Sequence, residues 1–398
     1  MLSVASLGAL IALVSPAVAL AAPRDTALAY PTPATIEGAK YILDINSTLT
    51  HKRGLEQRAC ADYDTAAVGT GNALQSLYYN SGGYYNGGSA WTDVNGVEDL
   101  MNQMLYDRST TWDAVPEAVI THYDAMFTDS PSYDDLGWAT LASWKQCDYV
   151  SAHGGDTSEC TNRALKYYNL VVGAWDSTCG GGVWWNGNKD YKNAITNELF
   201  LYTSAIGYIR TGQSALLSNA QLVLNSTNMR NSEGLYNDGL TTSTCSNNGQ
   251  TTWTYNQIVV ASGLSALYAA TGDSSLLDVA QVSIDATIAH MESNNILKES
   301  CDDASGATEC DADQQIFKGI FMKHLQYFLD TANNAAITSK YAGFINAQAS
   351  GIVHYATGAG YTVGSVWYAS NAGGSEFTPK SQSSGMAGLV SAAKYANC

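Results

Sequence analysis

From about residue 60 onward the chain repeats one pattern: apolar residues recur at helical spacing, then clusters of Gly and Asn interrupt them. This spacing predicts about twelve helices, over 63–80, 92–107, 113–127, 134–150, 158–173, 192–210, 213–228, 253–270, 274–291, 313–330, 333–349 and 381–395. Strand-type alternation is scarce. In YKNAITNELFLYTSAIGYIRTG, residues Leu199, Tyr202, Ile206 and Ile209 share one face, and Gly212 suits a left-handed C-cap. TYNQIVVASGLSALYAATGD stops in the same way at Gly272, with one more amphipathic helix between the two stops, so the repeating unit is a helix pair. Segments 134–150 and 253–270 are apolar or aromatic nearly all round, whereas 213–228 and 274–291 are one-sided, which implies an inner and an outer layer. Six such hairpins closed into a toroid make an all-α (α/α)6 barrel, one domain over residues 60–398; a stacked helical solenoid is the other arrangement this pattern allows.

Composition adds a compartment. Residues 1–21 form an apolar run with small residues at Ala17 and Ala19, or Ala19 and Ala21, the pattern of a secretory signal peptide, and Pro16 argues against a membrane anchor. Residues 22–59 are polar and contain the dibasic pair Lys52-Arg53, where a processing protease could release a propeptide. Eight cysteines, none in the leader, imply four disulfides; among 105 connectivities only the short Cys301–Cys310 loop is a natural local pairing. Asn46-Ser47-Thr48 and Asn225-Ser226-Thr227 are acceptor triplets for N-glycans. A formal charge of -17 excludes nucleic acid and anionic lipid as partners and suits a neutral polymer. The C-terminal SAAKYANC carries no hydrophobic tail of the kind a GPI signal needs, so a soluble, secreted monomer is expected. No C-x-x-C, H-E-x-x-H, G-x-S-x-G or phosphate-loop pattern occurs, and no cofactor or metal is expected. The acid-rich run DDASGATECDAD at 302–313 lacks EF-hand spacing and reads as a solvated, disulfide-pinned loop.

In a toroid, the loops entering the inner helices converge on one mouth, and polar, aromatic clusters stand at those helix starts. In SPSYDDLGWATLASW, Asp134 and Asp135 meet at the head of a helix that also carries Trp138. Two carboxyls in one site disfavour simultaneous ionisation, so one pKa rises while the other stays low, which gives a general acid beside a nucleophile or base. The same acids could instead serve the helix, since Ser132 and Asp135 fit a capping box. Four further clusters supply candidate ligand contacts: Asn95 in WTDVN; Trp184, Trp185, Asn193 and Asn197 in GGGVWWNGNKDYKNAITN; Tyr255, Asn256 and Gln257 in WTYNQ; and Asp313 with Lys318 in DQQIFK. Flat aromatic faces beside amides and acids suit a ligand rich in hydroxyls. Core packing for the tryptophans and N-capping for Asn193 and Asn197 are the competing roles.

Taken in order, YDDLGWATLASW, GGGVWWNGNKDYKNAITNELFLYTSAIGYIRTG, TYNQIVVASGLSALYAATGD and DQQIFKGIFMKHLQYFLD resemble glycoside hydrolase family 76 over roughly residues 60–395. The resemblance implies an (α/α)6 barrel and hydrolysis of α-1,6-linked mannan with retention of configuration, with Asp134 as nucleophile and Asp135 as acid/base. It also implies mannan or a mannose-containing cell-wall glycan as partner, in or near the cell wall. Transglycosidases acting on the mannose core of GPI anchors belong to the same family, and a non-catalytic mannan-binding protein would keep the same barrel and cleft.

Overall fold

The computed structural model describes residues 31–45, 60–129, 132–224 and 228–398. The expected leader, Lys52-Arg53 and both glycan triplets lie outside the described residues. Twelve α-helices occur among the described residues: α1 Ala61–Tyr78, α2 Ala90–Asp107, α3 Ala114–Asp129, α4 Tyr133–Ala152, α5 Ser158–Val172 and α6 Ala194–Thr211 in the first half. The second half holds α7 Ser214–Leu224, α8 Thr254–Thr271, α9 Ser275–His290, α10 Phe317–Ala332, α11 Ala335–Gly351 and α12 Pro379–Tyr395.

The even-numbered helices form the inner ring. Each of α2, α4, α6, α8, α10 and α12 packs on the next, and α12 returns to α2, so the ring closes and an open solenoid is excluded. The odd-numbered helices pack outside it, α5 on α4, α7 on α6, α9 on α8 and α1 on α12. Burial follows the layers. In α8 the run Asn256–Leu267 is buried without a gap, while outer α9 buries only one stripe that includes Leu276, Ala280, Ile284 and Thr287. Close approach between inner helices needs residues without side chains: a Cβ on Gly319 of α10 would sit 2.3 Å from the Ser384 Cα of α12, and one on Gly263 of α8 would sit 2.7 Å from the Leu201 Cγ of α6. The expected stops hold, with Gly212 at φ 69° and Gly272 at φ 78°.

Inner-to-outer connections are short; apart from the three-residue link between Asp129 of α3 and Tyr133 of α4, the outer-to-inner connections are long and decorated. Four of them carry a two-stranded antiparallel hairpin that periodicity did not reveal: Tyr79–Asn80 with Tyr84–Tyr85, Trp175–Asp176 with Gly182–Val183, Leu240–Thr241 with Ser246–Asn247, and Glu292–Ser293 with Ile296–Leu297. Strands of two residues are too short to register a period of two. These hairpins all stand where the chain enters an inner helix, at one mouth of the barrel. Four disulfides join Cys60 to Cys398, Cys147 to Cys160, Cys179 to Cys245 and Cys301 to Cys310. The first ties the start of α1 to the end of the chain. Among the described residues no helix is long and apolar enough to cross a membrane.

The barrel wall buries several acids, and this predicts an unusual pH profile of stability. Desolvation raises Asp93 to about 6, Asp99 to about 6 in spite of Lys323, and Glu299 to about 7 in spite of its bonds from Thr254. Glu198, whose two carboxyl oxygens are buried without a hydrogen-bond partner, is raised well above the usual range by the same cause. A carboxyl with a raised folded-state pKa binds its proton more tightly when folded. The stability it supplies is therefore complete below the unfolded value near ~4 and is lost as pH rises through the folded value. Opposing groups such as Asp176, partly desolvated yet held at about 2 by Trp184 and Lys192, lose their contribution only in stronger acid. The thermal midpoint is expected to peak near pH ~4–5 and to fall by roughly 5–10 °C by pH ~8. A melting series across pH would contradict this by rising from pH 5 to 8.

Candidate active site

The start of α4 is held by a neighbouring loop. The Tyr133 amide donates to the Trp185 carbonyl at 2.7 Å, and Ser132 bridges Asn186 in antiparallel fashion, so the loop carrying Trp185 lies against the first turn. Ser132 stands at the N-cap in extended conformation, but its side chain makes no cap bond, so the capping box expected with Asp135 is not formed. Asp134 is the better hydrogen-bonded acid. Its Oδ1 accepts the Asp135 amide at 3.1 Å and its Oδ2 accepts the Trp185 indole N–H at 3.2 Å. Desolvation raises both carboxyls; Asp135 goes higher because the negative charges of Asp134 and Asp313 add to its burial, whereas hydrogen bonds to Asp134 oppose the shift there. The pair is thus polarised, with the proton on Asp135 and the charge on Asp134.

Both acids open into a cleft of about 430 Å³ at the decorated mouth. Its aromatic surface comes from four inner-helix starts. Trp91 of α2 stacks on Trp138 of α4 at 6.1 Å and 27°, and Tyr255 of α8 stacks on Phe317 of α10 at 4.0 Å and 4°. Trp185 is 38% exposed and stands edge-on to Tyr191. Polar groups complete the wall: Asn193, which also caps α6 through the Thr196 amide, Asp238, which accepts the Tyr191 hydroxyl, and Asp313, which accepts from Lys380 of α12 at 3.2 Å.

Of the ligand contacts expected from sequence, Trp138, Trp185, Asn193, Tyr255 and Asp313 line this cleft with Asp134 and Asp135. The others stand behind it. Trp184 and Trp185 are consecutive, but only Trp185 lines the cleft. Trp184 is buried, donates to Asp176 at 2.6 Å and lies under the Lys192 ammonium. Asn95 is buried against Lys323 of α10. Lys318 is buried in an ion pair with Asp302, so the loop expected to be solvated turns one acid inward. Asn256 is fully buried, and neither of its amide atoms has a hydrogen-bond partner.

Asn197 and Gln257 share a different role. The side-chain oxygen of Asn197 accepts the Val183 amide at 2.8 Å while its nitrogen donates to the Val183 carbonyl at 3.1 Å, and Gln257 grips both backbone groups of Tyr236 in the same way at 2.6 and 2.8 Å. Both are the fourth residue of an inner helix. So is Gln382 of α12, which takes the Val363 amide at 2.8 Å and gives to the Tyr361 carbonyl at 2.8 Å, and so is Asp93 of α2, which accepts the Tyr85 amide. A fourth-position side chain therefore fixes the loop that enters its own helix. Through these clamps the loops present Trp185 and Asp238 to the cleft. Sequence reasoning did not single out Trp91, Ser132, Tyr191, Asp238 or Phe317 as ligand contacts. Trp91, Ser132, Tyr191 and Phe317 were inside the quoted stretches, but Asp238 lies in an unpatterned loop.

A Schizosaccharomyces pombe relative is 27% identical over 252 residues, covering 60% of this chain and 56% of its own. The mannan endo-1,6-alpha-mannosidase DFG5 of Saccharomyces cerevisiae is 24% identical over 320 residues, covering 72% of this chain and 66% of its own. The matched region thus spans between about half and two thirds of these curated relatives. Among solved structures, an inactive variant of the alpha-1,6-mannanase GH76A of Salegentibacter sp. HEL1_6, with two aspartates replaced by asparagine and alpha-1,6-mannotriose bound, superposes with a TM-score of 0.72 at 16% identity, over 83% of this chain and 99% of that one. Dfg5 from Chaetomium thermophilum in complex with glucosamine gives 0.73 at 15% identity, over 85% and 92%. The family model of Glycosyl hydrolase family 76 matches residues 65–396, and the chain belongs to that family.

Proposed function

We propose that the protein is an exported, retaining glycoside hydrolase that cleaves α-1,6-mannosidic bonds within mannan, with Asp134 as nucleophile and Asp135 as acid/base. The observation that carries the reading is the polarised pair at the head of α4, set in an aromatic cleft. The loss of activity in the Salegentibacter mannanase when two aspartates become asparagines supports it. In the first step the Asp135 proton passes to the glycosidic oxygen as an Asp134 oxygen attacks the anomeric carbon; the C–O bond breaks and a glycosyl ester forms. Water then attacks the same carbon, gives its proton to Asp135 and frees Asp134. The ring stacks Trp91–Trp138 and Tyr255–Phe317 supply apolar faces for pyranose C–H surfaces. Four disulfides support an oxidising, extracellular compartment.

The test is time-resolved proton NMR of linear α-1,6-mannan digestion. The α-anomer of a shortened oligosaccharide is expected to appear first, with the β-anomer following by mutarotation. A β-anomer at the earliest times, or free mannose as the sole product, would overturn the reading. Glucosamine in the Chaetomium relative favours a second one, glycan transfer onto a sugar acceptor, since the cleft here also holds Asp238 and Asp313. Products longer than the donor at high acceptor concentration would identify transfer.

A further inference from the structure

The segment before the barrel reads from sequence as a polar arm and possible propeptide, yet residues 31–45 lie on the barrel. Asn219 of α7 accepts the Ala34 amide at 2.9 Å and donates to the Ala34 carbonyl at 2.8 Å. Asn169 of α5 does the same to Ile36, at 2.8 and 2.9 Å. Two amide side chains thus grip alternate residues of an extended peptide through both backbone groups, the arrangement by which inner helices hold their own loops. Further along, the Ile42 amide donates to the Arg210 carbonyl at the end of α6, and the Tyr41 hydroxyl donates to Asp148 of α4 at 2.7 Å. Ile36, Ala39 and Ile45 are buried.

The contacts reach the barrel end opposite the active-site cleft. There Asp148 pairs with Arg210, Nε at 2.9 Å, and Lys145 stands 3.8 Å away. Leu43 and Ile45 wall a cavity of about 200 Å³ over these groups. Tyr41 fills part of the acceptor capacity of Asp148, and the arm shields the ion pair from water. Backbone grip, apolar anchors and a buried hydroxyl–carboxylate bond are each independent of the peptide link to residue 60.

We infer that residues 31–45 are a resident strap, bound to the barrel as an extended peptide, and that cleavage at Lys52-Arg53 yields a two-chain protein rather than releasing a propeptide. The test uses the full chain, cut at Lys52-Arg53 by a dibasic-specific endoprotease, or at a site-specific protease sequence inserted after Arg53. Gel filtration with intact-mass analysis should find the N-terminal fragment co-eluting with the barrel and leaving only in denaturant. In the Asn169→Ala/Asn219→Ala variant, and in Ile36→Ser, which leaves the barrel sequence untouched, at least tenfold more fragment should be lost after cutting. Fragment loss should lower the thermal midpoint by several degrees with turnover at the far mouth changed less than twofold. Release from the cut wild-type protein during gel filtration, with an unchanged midpoint, would overturn the inference.

Discussion

Asp134→Asn and Asp135→Asn are each expected to fold normally and to lower turnover of linear α-1,6-mannan by about 10³-fold or more. Folding should survive because both carboxyls carry raised pKa values through burial, and a neutral amide of the same shape removes the charge that burial disfavours. Inactivity would then report chemistry. The two variants should fail differently. With an aryl α-1,6-mannobioside bearing a good leaving group, the Asp135→Asn protein needs no proton donor for the first step and should show a burst of aryl release. Azide should then rescue it and give the α-glycosyl azide. The Asp134→Asn protein has no nucleophile, shows no burst, and azide acting in its place should give the β-glycosyl azide. Exchange of these two outcomes would exchange the roles; near-normal activity in either folded variant would end the assignment. In the wild-type protein the alkaline limb of the activity profile should follow proton loss from Asp135. Asp134→Asn removes one of the two negative charges that raise it and should shift that proton loss to lower pH.

How much of this was legible in the sequence depends on which physical signal each feature leaves. Helix number, pairing and the two layers were legible because buried inner helices and one-sided outer helices have different periodic patterns, and because Gly212 and Gly272 mark real left-handed stops. The cleft was half legible. A polar residue at a helix start is conspicuous, but its sequence does not say whether it faces the mouth or the loop feeding the helix. Asn193 sits at the cap and reaches the cleft, while Asn197, one turn later, grips Val183. Tyr255 lines the cleft and Gln257 grips Tyr236. The fourth-position rule seen in α2, α6, α8 and α12 separates the two kinds, but it becomes visible only when the helix starts are known to a residue. Asp238 left no signal because its loop has no period, and its position depends on the Gln257 clamp and on the Ala194 amide bonding its carbonyl.

Lys318 offers the sharpest separation between a ligand contact and a residue that holds the site from behind. Its ammonium is buried against Asp302 and lies 5.3 Å from the centre of the Trp367 ring. Asp302 also accepts the Glu299 amide, and Glu299 in turn accepts the Thr254 amide at 3.1 Å at the start of α8, next to Tyr255. Lys318→Met should therefore strand a buried carboxylate, costing about 3–5 kcal/mol and lowering the thermal midpoint by roughly 6–12 °C. Replacing both partners, Lys318→Met with Asp302→Leu, removes the charge and its partner together and should regain more than half of that loss, because an ion pair exchanged for apolar groups of similar volume is often close to neutral. Recovery should stay incomplete, since the Glu299 amide loses its acceptor. Activity should track stability across the cycle, the double variant regaining turnover as the Tyr255–Phe317 stack is restored. A role for Lys318 in touching substrate requires the opposite pattern, a large rise in KM with an unchanged midpoint in the single variant and no rescue in the double. Melting curves and initial rates on the four proteins decide between the two.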